Sequence, residues 1–290
     1  MADSELDLQG HRGARGLLPE NTLPGFYLAI DQGMTTLELD CAVTRDGIVV
    51  ASHEPWFSAA YSNKPNGEPV TEAEEREHNI YELDYASAMR YDVGSRRNPR
   101  FPEQRLIAAH KPQLATIIAK SDEYARENGK PSPRYNIEVK SRPEWDGVFT
   151  PPAHEFALLV AAVVDEAKLG SGRATIQSFD VRALQALREW SQLPGPIRET
   201  NSFDRRGLLS LLVENNDGVE ANLERLGFDP DIYSPSHHSV DAEMVEICHA
   251  RGIQVIPWTV NERARMEELV ALGVDGIITD YPDRARGLTR

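Results

Sequence analysis

The stretch TTLELDCAVT, residues 35–44, decides how the chain folds and where its chemistry sits. Its β-branched and aliphatic residues predict a strand, and side chains along a strand point alternately to opposite faces. Leu37, Leu39 and Cys41 therefore share one face, and Glu38 and Asp40 share the other. A strand apolar on one face and acidic on the other suits a parallel barrel, with the apolar face against an outer layer of helices and the acidic face turned into the mouth. Two carboxylates on one inward face are costly to keep ionised, because burial and mutual repulsion both raise their pKa values unless a cation neutralises them. The plainer alternative is a solvent-facing polar edge, which leaves the apolar interface unchanged.

Outward from this strand, short β-branched runs alternate with stretches of helical period, as in repeated βα units. Strands are expected near 6–11, 35–43, 134–139, 174–178, 208–213, 231–234, 253–258 and 275–279. Helices are expected near 22–32, 110–129, 153–169, 181–192, 218–226, 240–251 and 261–272. The pattern predicts an α/β fold, a single (β/α)8 TIM barrel over residues 1–290. Asp180, Ser239 and Asn261 stand where helix N-caps are needed, and Gly33, Gly129, Gly170, Gly252 and Gly273 where helices close. Residues 55–109 are too long for an ordinary βα loop and read as an insertion after strand two that caps the barrel mouth. Within it, Thr71 and Glu74 have capping-box spacing, so TEAEERE predicts a short exposed helix.

Acids outnumber bases by 46 to 31, a net charge of −15 that opposes binding to nucleic acid and to anionic lipid surfaces. An anionic ligand must then be captured locally, by a cation or a metal. Cys41 and Cys248 cannot build a disulfide framework and read as small buried apolar residues. The run FALLVAAVV, residues 156–164, is a core helix and too short for a membrane span, so no stable membrane insertion is expected. The opening MADSELDLQG lacks a signal-peptide pattern, which implies a cytoplasmic protein, or a secreted or periplasmic one already processed. Oligomeric state is not written in any local pattern.

YNIEVKS, residues 135–141, repeats the alternation and places Glu138 and Lys140 on one face. Three acids without nearby cysteines or metal-spaced histidines suit a hard divalent cation, Mg²⁺ or Ca²⁺, better than zinc. Lys140 serves either as a salt-bridge partner of these acids or as a contact for a ligand oxyanion. In DGIVVASHEPW, residues 46–56, Asp46 and Gly47 predict a hairpin turn that returns the chain to His53. His11 and Arg12 end the first strand, so two imidazoles flank the acids, as acid–base chemistry on a bridging oxygen requires.

In PENT, residues 19–22, Asn21 and Thr22 read as the cap of the first helix, while Glu20 is placed to orient Arg12. His237 and His238 read as an exposed loop, His249 as peripheral, and Glu214 and Asp280 as structural groups near strand ends. Arg96, Arg97 and Arg100 form a basic patch within the insertion that could meet a second anionic group on a ligand.

Taken together and in order, HRG, PENT, ELD with TRDG, the following histidine, NIEVK, IQSFD, WTVN and GVDGIITDYP resemble the glycerophosphodiester phosphodiesterase family from about Leu8 to Pro282. The resemblance implies a barrel enzyme that uses a divalent cation to hydrolyse glycerophosphodiesters, small-molecule substrates, to glycerol 3-phosphate and an alcohol. It places the general acid–base pair on His11 and His53, the metal ligands on Glu38, Asp40 and Glu138, and the phosphate contacts on Arg12 and Lys140. Gln177 and Trp258 match positions lining the family's pocket. The family commonly has aspartate where this chain has Glu54, and the stretch after Pro55 departs from its pattern, which bears on head-group choice. Two alternatives use the same barrel. A sphingomyelinase D-like lyase would release a cyclic phosphate and needs an exposed apolar rim, for which PWF at residues 55–57 is the candidate. A noncatalytic phosphate-metabolite binder would have no need of both histidines and all three acids.

Overall fold

The computed structural model describes residues 6–191 and 207–290. Among these residues, eight parallel strands form one barrel. In chain order they are β1 (Asp7–Gly10), β2 (Thr36–Val43), β4 (Arg134–Val139), β5 (Ala174–Ser178), β6 (Leu208–Val213), β7 (Ile232–Pro235), β8 (Gln254–Val255) and β9 (Gly276–Thr279). A further strand, β3 (Val49–Ala51), folds back antiparallel on β2. Spatial order runs β8-β7-β6-β5-β4-β2-β1-β9. The circle closes where Asp275 N donates to Val255 O (2.8 Å) and Ile278 N to Pro257 O (3.0 Å). β8 is shorter than the expected 253–258, since Pro257 has no N–H to give a ladder.

Helices return the chain between successive strands: α1 (Leu23–Asp31), α3 (Leu114–Glu127), α4 (Ala153–Glu166), α5 (Val181–Ser191), α6 (Val219–Leu226), α7 (Ala242–Ala250) and α8 (Arg263–Ala271). A one-turn α2 (Tyr85–Ala88) lies within the insertion, and α9 (Pro282–Ala285) follows β9. In α1 the Thr22 side chain accepts from Gly25 N, Pro24 occupies the first turn, and Phe26, Ala29 and Ile30 form the buried stripe. In α4 Phe156, Val160 and Val164 do the same. These stripes pack on Leu37, Leu39, Ile137 and Ile176 of the strands, each wholly buried and worth roughly 1.5–3 kcal/mol. Inside the barrel the lining is divided. Gln9, Asn136 and Gln177 form a hydrogen-bonded layer on one side, and Ile232, Ile256 and Ile278 an apolar one on the other.

Several local expectations are corrected. α3 starts at Leu114 rather than near residue 110, because Pro112 pushes Lys111 out of helical conformation. Asp180 caps α5 through Arg182 N (3.1 Å), but the cap of α7 is Asp241, not Ser239, which lies in a 3₁₀ turn. Asn261 does not cap α8: its side chain accepts from Asp280 N and donates to Asp280 Oδ2 (3.0 and 2.8 Å). After α4 the left-handed residue is Lys168 (φ 52°), not Gly170. TEAEERE forms only a 3₁₀ turn at Glu75–Glu77, although Thr71 N does donate to Glu74 Oε1 (3.0 Å). Asn21 is no helix cap, since its side chain donates to Asp40 Oδ2 (3.0 Å). Cys41 and Cys248 are buried, and no described helix is long and apolar enough to cross a membrane.

Residues 55–109 gather their own small core, with Phe57 stacked on Tyr91 at 3.8 Å and Tyr61, Val70, Ile80 and Val93 around them. This core sits on Ala42 and Val50 of the β2–β3 hairpin.

The turn after β1 leaves no room for side chains at its glycines. A Cβ on Gly10 would lie 2.3 Å from Gly13 O, and Gly13 itself has φ +87° with a Cβ position 2.8 Å from Gly25 C. Gly33, at φ +85°, has nothing within 4 Å. Gly33→Ala is therefore expected to cost only the backbone strain, about 1–2 kcal/mol. Gly13→Ala should cost measurably more in urea unfolding, and equal midpoints for the two variants would disprove the packing argument.

Candidate active site

Alternation along β2 and β4 turns Glu38, Asp40 and Glu138 inward, and the register sets Asp40 directly opposite Glu138. Ligand oxygens of the three lie within 4.8 Å of one another, all buried. Burial, then Asp40, pushes the Glu38 carboxyl well above its usual range, while burial raises Glu138 to about 7 against the pull of Lys140. Asp40 is the exception: burial opposes its ionisation, but Arg12, followed by His53 and Lys140, holds it well below the usual range. Asp40 Oδ1 has no hydrogen-bond partner, and Lys140 Nζ is 3.6 Å from it. An orphaned buried carboxylate oxygen beside two carboxyls driven towards neutrality fits a hard divalent cation held by oxygen ligands.

Surrounding side chains aim these acids. Gln177 donates to Glu38 Oε1 (2.8 Å), and the Arg12 backbone N–H to Glu38 Oε2 (2.8 Å). Arg12 adopts φ 51°, a left-handed conformation that is costly for a side-chain-bearing residue. Its Nη1 donates to Glu20 Oε1 (2.8 Å), as expected for Glu20. Its Nε is 3.0 Å from Asp40 Oδ2, near enough for charge attraction but not aligned as a hydrogen bond. Lys140 Nζ lies 3.0 Å from Glu138 Oε1.

Each histidine is backed by a carboxylate. His11 Nδ1 donates to Asp280 Oδ1 (2.7 Å), and His53 Nδ1 to Glu54 Oε1 (2.6 Å), which leaves Nε2 as the free nitrogen of both rings. Burial, then Arg15, lowers His11 to about 4, and burial, then Arg12, lowers His53. Arg15 locks Asp280 from the other side through Nε and Nη2 (2.7 and 3.0 Å). Behind His53, the buried Lys111 donates to Ser52 Oγ (2.7 Å) beneath the Phe57 and Tyr61 rings, and burial lowers it to about 8.

His11, Arg12, Glu38, His53, Glu138, Lys140, Gln177 and Trp258 all line one cavity of about 1000 Å³ at the C-terminal ends of the strands, and Asp40 lies buried just beneath it. Trp258 donates to Ser234 O (2.9 Å) and meets Phe179 edge-on at 5.4 Å. The same cavity takes in groups that the sequence reading set aside. Asp280 is the partner of His11, and the half-buried His237 lines the wall instead of standing in an exposed loop. Of the insertion's basic patch only Arg100 reaches the cavity, since Arg96 and Arg97 donate to backbone carbonyls. Sequence reading missed the site roles of Arg15 and of Asn261, the latter read as a helix cap, because both act through Asp280, 265 and 19 residues away. The PWF stretch is no exposed rim: Trp56 and Phe57 are 7% and 0% exposed.

The sequence profile described as the "Glycerophosphoryl diester phosphodiesterase family" matches residues 11–284. A glycerophosphodiester phosphodiesterase of Caldanaerobacter subterraneus is 26% identical, covering 97% of this chain and 96% of its own. A solved structure from Silicibacter pomeroyi DSS-3 is 28% identical with a TM-score of 0.81, covering 98% of this chain and 92% of that one. An Oleispira antarctica phosphodiesterase, solved with the product sn-glycerol-3-phosphate, shares the fold at TM-score 0.70 and 21% identity, covering 97% and 95%.

Binding of a cation to this acid cluster predicts a metal-dependent melting temperature. Mg²⁺ or Ca²⁺ at a hundredfold excess over its Kd should add about 2.7 kcal/mol of stability, read as a rise in Tm. Glu138→Ala should abolish that rise; an unchanged rise in this variant would remove Glu138 from the ligand set.

Proposed function

Because the chain belongs to the glycerophosphoryl diester phosphodiesterase family, we propose that its cavity hydrolyses glycerophosphodiesters to glycerol 3-phosphate and an alcohol with the help of Mg²⁺ or Ca²⁺. The chain is a glycerophosphodiester phosphodiesterase by family and by its similarity to enzymes of that name. The observation that carries the reaction is the acid cluster between two carboxylate-backed imidazoles.

Glu38, Asp40 and Glu138 would hold the cation. Bound there, it supplies charge neutralisation at the phosphoryl oxygens and lowers the pKa of a coordinated hydroxyl. Arg12 offers the planar fork of its guanidinium to the phosphate, and Lys140 a point charge. Gln177 acts through Glu38, to which it donates, and the Trp258 face packs the glycerol carbons.

His11 and His53 divide the proton transfers. One accepts the proton of the attacking hydroxyl at Nε2, and the other returns one to the leaving alkoxide. Asp280 and Glu54 hold the two rings in the tautomer that leaves Nε2 free, so they orient and do not themselves exchange protons with substrate. Burial, which lowers both imidazoles, suits the one that accepts a proton, since a base must be neutral. The one that donates enters the reaction as the imidazolium, protonated at Nε2 as well, with its carboxylate partner stabilising the charge. We also assign residues 55–109 the part of a partial cap within a single barrel domain. The supporting observation is that Trp56, Arg76, Arg100 and Phe101 lie on the cavity wall.

His11→Ala and His53→Ala should each lower turnover of glycerophosphoglycerol by at least about a hundredfold. Both should keep the metal-dependent rise in Tm. Near-normal turnover in either variant excludes that histidine. Chelation should abolish wild-type activity, and phosphorus NMR should show glycerol 3-phosphate among the products. A cyclic phosphate as the sole final product would favour the lyase reading instead.

A further inference from the structure

Three exposed arginines from separate loops reach the same cavity, and each is near an aromatic ring. Arg76 lies 5.2 Å from the Trp56 ring, Arg142 4.8 Å from Trp145, and Arg100 5.9 Å from Phe101. Among the described residues none of the three guanidinium groups has a carboxylate within ion-pair distance, in a chain with 46 acids. The acids of the cavity floor are already engaged: Glu38 with Gln177 and the Arg12 amide, Glu54 with His53, Glu138 with Lys140, Asp280 with His11 and Arg15. Glu214, the remaining acid of the lining, follows β6, beyond β5 from the loop that carries Arg142.

The phosphodiester itself carries one negative charge, which Arg12, Lys140 and a cation already meet on the floor. Three further positive groups at the rim are surplus to that need. Arg142 follows β4, and Arg76 and Arg100 belong to the insertion that follows β2 and β3. A guanidinium stacked on a ring keeps its edge donors free and loses little freedom when those donors take up a carboxylate or phosphate in paired fashion. The rings by themselves, Trp56 against Trp145 and Phe149 at 5.7 and 5.2 Å, would suit a quaternary ammonium group. Here two of them carry arginines, so a cationic head group would meet like charge.

We propose that this arginine rim is a subsite for the alcohol portion of the substrate, and that the preferred alcohol bears its own negative charge, a carboxylate or a second phosphate. The proposal deepens the phosphodiesterase reading above and rests on it. It also gives the acidic protein a local attraction for a dianionic ligand that its overall charge would repel.

The test compares kcat/KM for glycerophosphocholine, glycerophosphoglycerol, glycerophosphoglycolate and glycerophosphoglycerol bearing a terminal phosphate, at low salt and in roughly 0.5 M NaCl. The two forms with added negative charge should exceed glycerophosphoglycerol by about tenfold at low salt, the advantage shrinking as salt rises, with the choline form slowest. R76Q/R100Q/R142Q should abolish the advantage, R76K/R100K/R142K should retain much of it, and R251Q on the opposite face should leave it intact. A choline form cleaved as well as the phosphate-bearing one, or an advantage that survives the triple glutamine variant, overturns the subsite. Turnover of no diester at all overturns the phosphodiesterase reading and this inference with it, whereas turnover without charge preference overturns the inference alone.

Discussion

Burying Glu38, Asp40 and Glu138 within 4.8 Å of one another is the constraint on which the rest of the molecule depends. Such a cluster is unfavourable in isolation, and the structure surrounds it with compensation: Arg12 and Lys140 supply charge, Gln177 and the Arg12 amide supply donors, and only Asp40 Oδ1 among these carboxylate oxygens is buried without a donor. The cluster exists only if β2 and β4 are neighbours in one particular register, with Asp40 against Glu138. A slip of β2 by one residue would turn Glu38 and Asp40 towards the helices, away from Glu138, and Leu37 and Leu39 into the mouth. The hydrophobic demand of the outer layer and the polar demand of the site therefore select the same register.

The two histidines of the cavity are placed differently. His11 and His53 come from loops after β1 and β3, and loops alone would leave imidazoles free to rotate. Each ring is fixed by a carboxylate, and each carboxylate is fixed in turn. Asp280 is held by Arg15 and Asn261, while the segment of His53 and Glu54 rests on Ser52 and the buried Lys111. Strain at Arg12, with φ 51°, is tolerated because the glycines around it permit the tight turn that puts its amide on Glu38.

Much of this was legible in residue order. The alternation in TTLELDCAVT and YNIEVKS identified the inward acids, and the apolar periodicity of α1 and α4 identified the helices that cover the strands. Local patterns misled where a polar side chain had two uses. Asn21 and Asn261 both look like helix caps, yet each spends its amide on an acid of the site, Asp40 or Asp280, because burying those carboxylates without donors costs more than leaving a helix end to water. His237 and Asp280 likewise gave no sign of their place, since a strand-end residue reads the same whether it faces solvent or the cavity.

Sequence alone thus determined the barrel, the three acids and the two imidazoles, because side-chain periodicity and strand-end position are local properties of the chain. Tertiary structure alone decided what the more distant partners are: that Asp280, locked by Arg15, backs His11 and that Arg12 meets Asp40 as well as Glu20. Those contacts join segments separated by tens to hundreds of residues, and only the closed circle of strands brings them within hydrogen-bonding range.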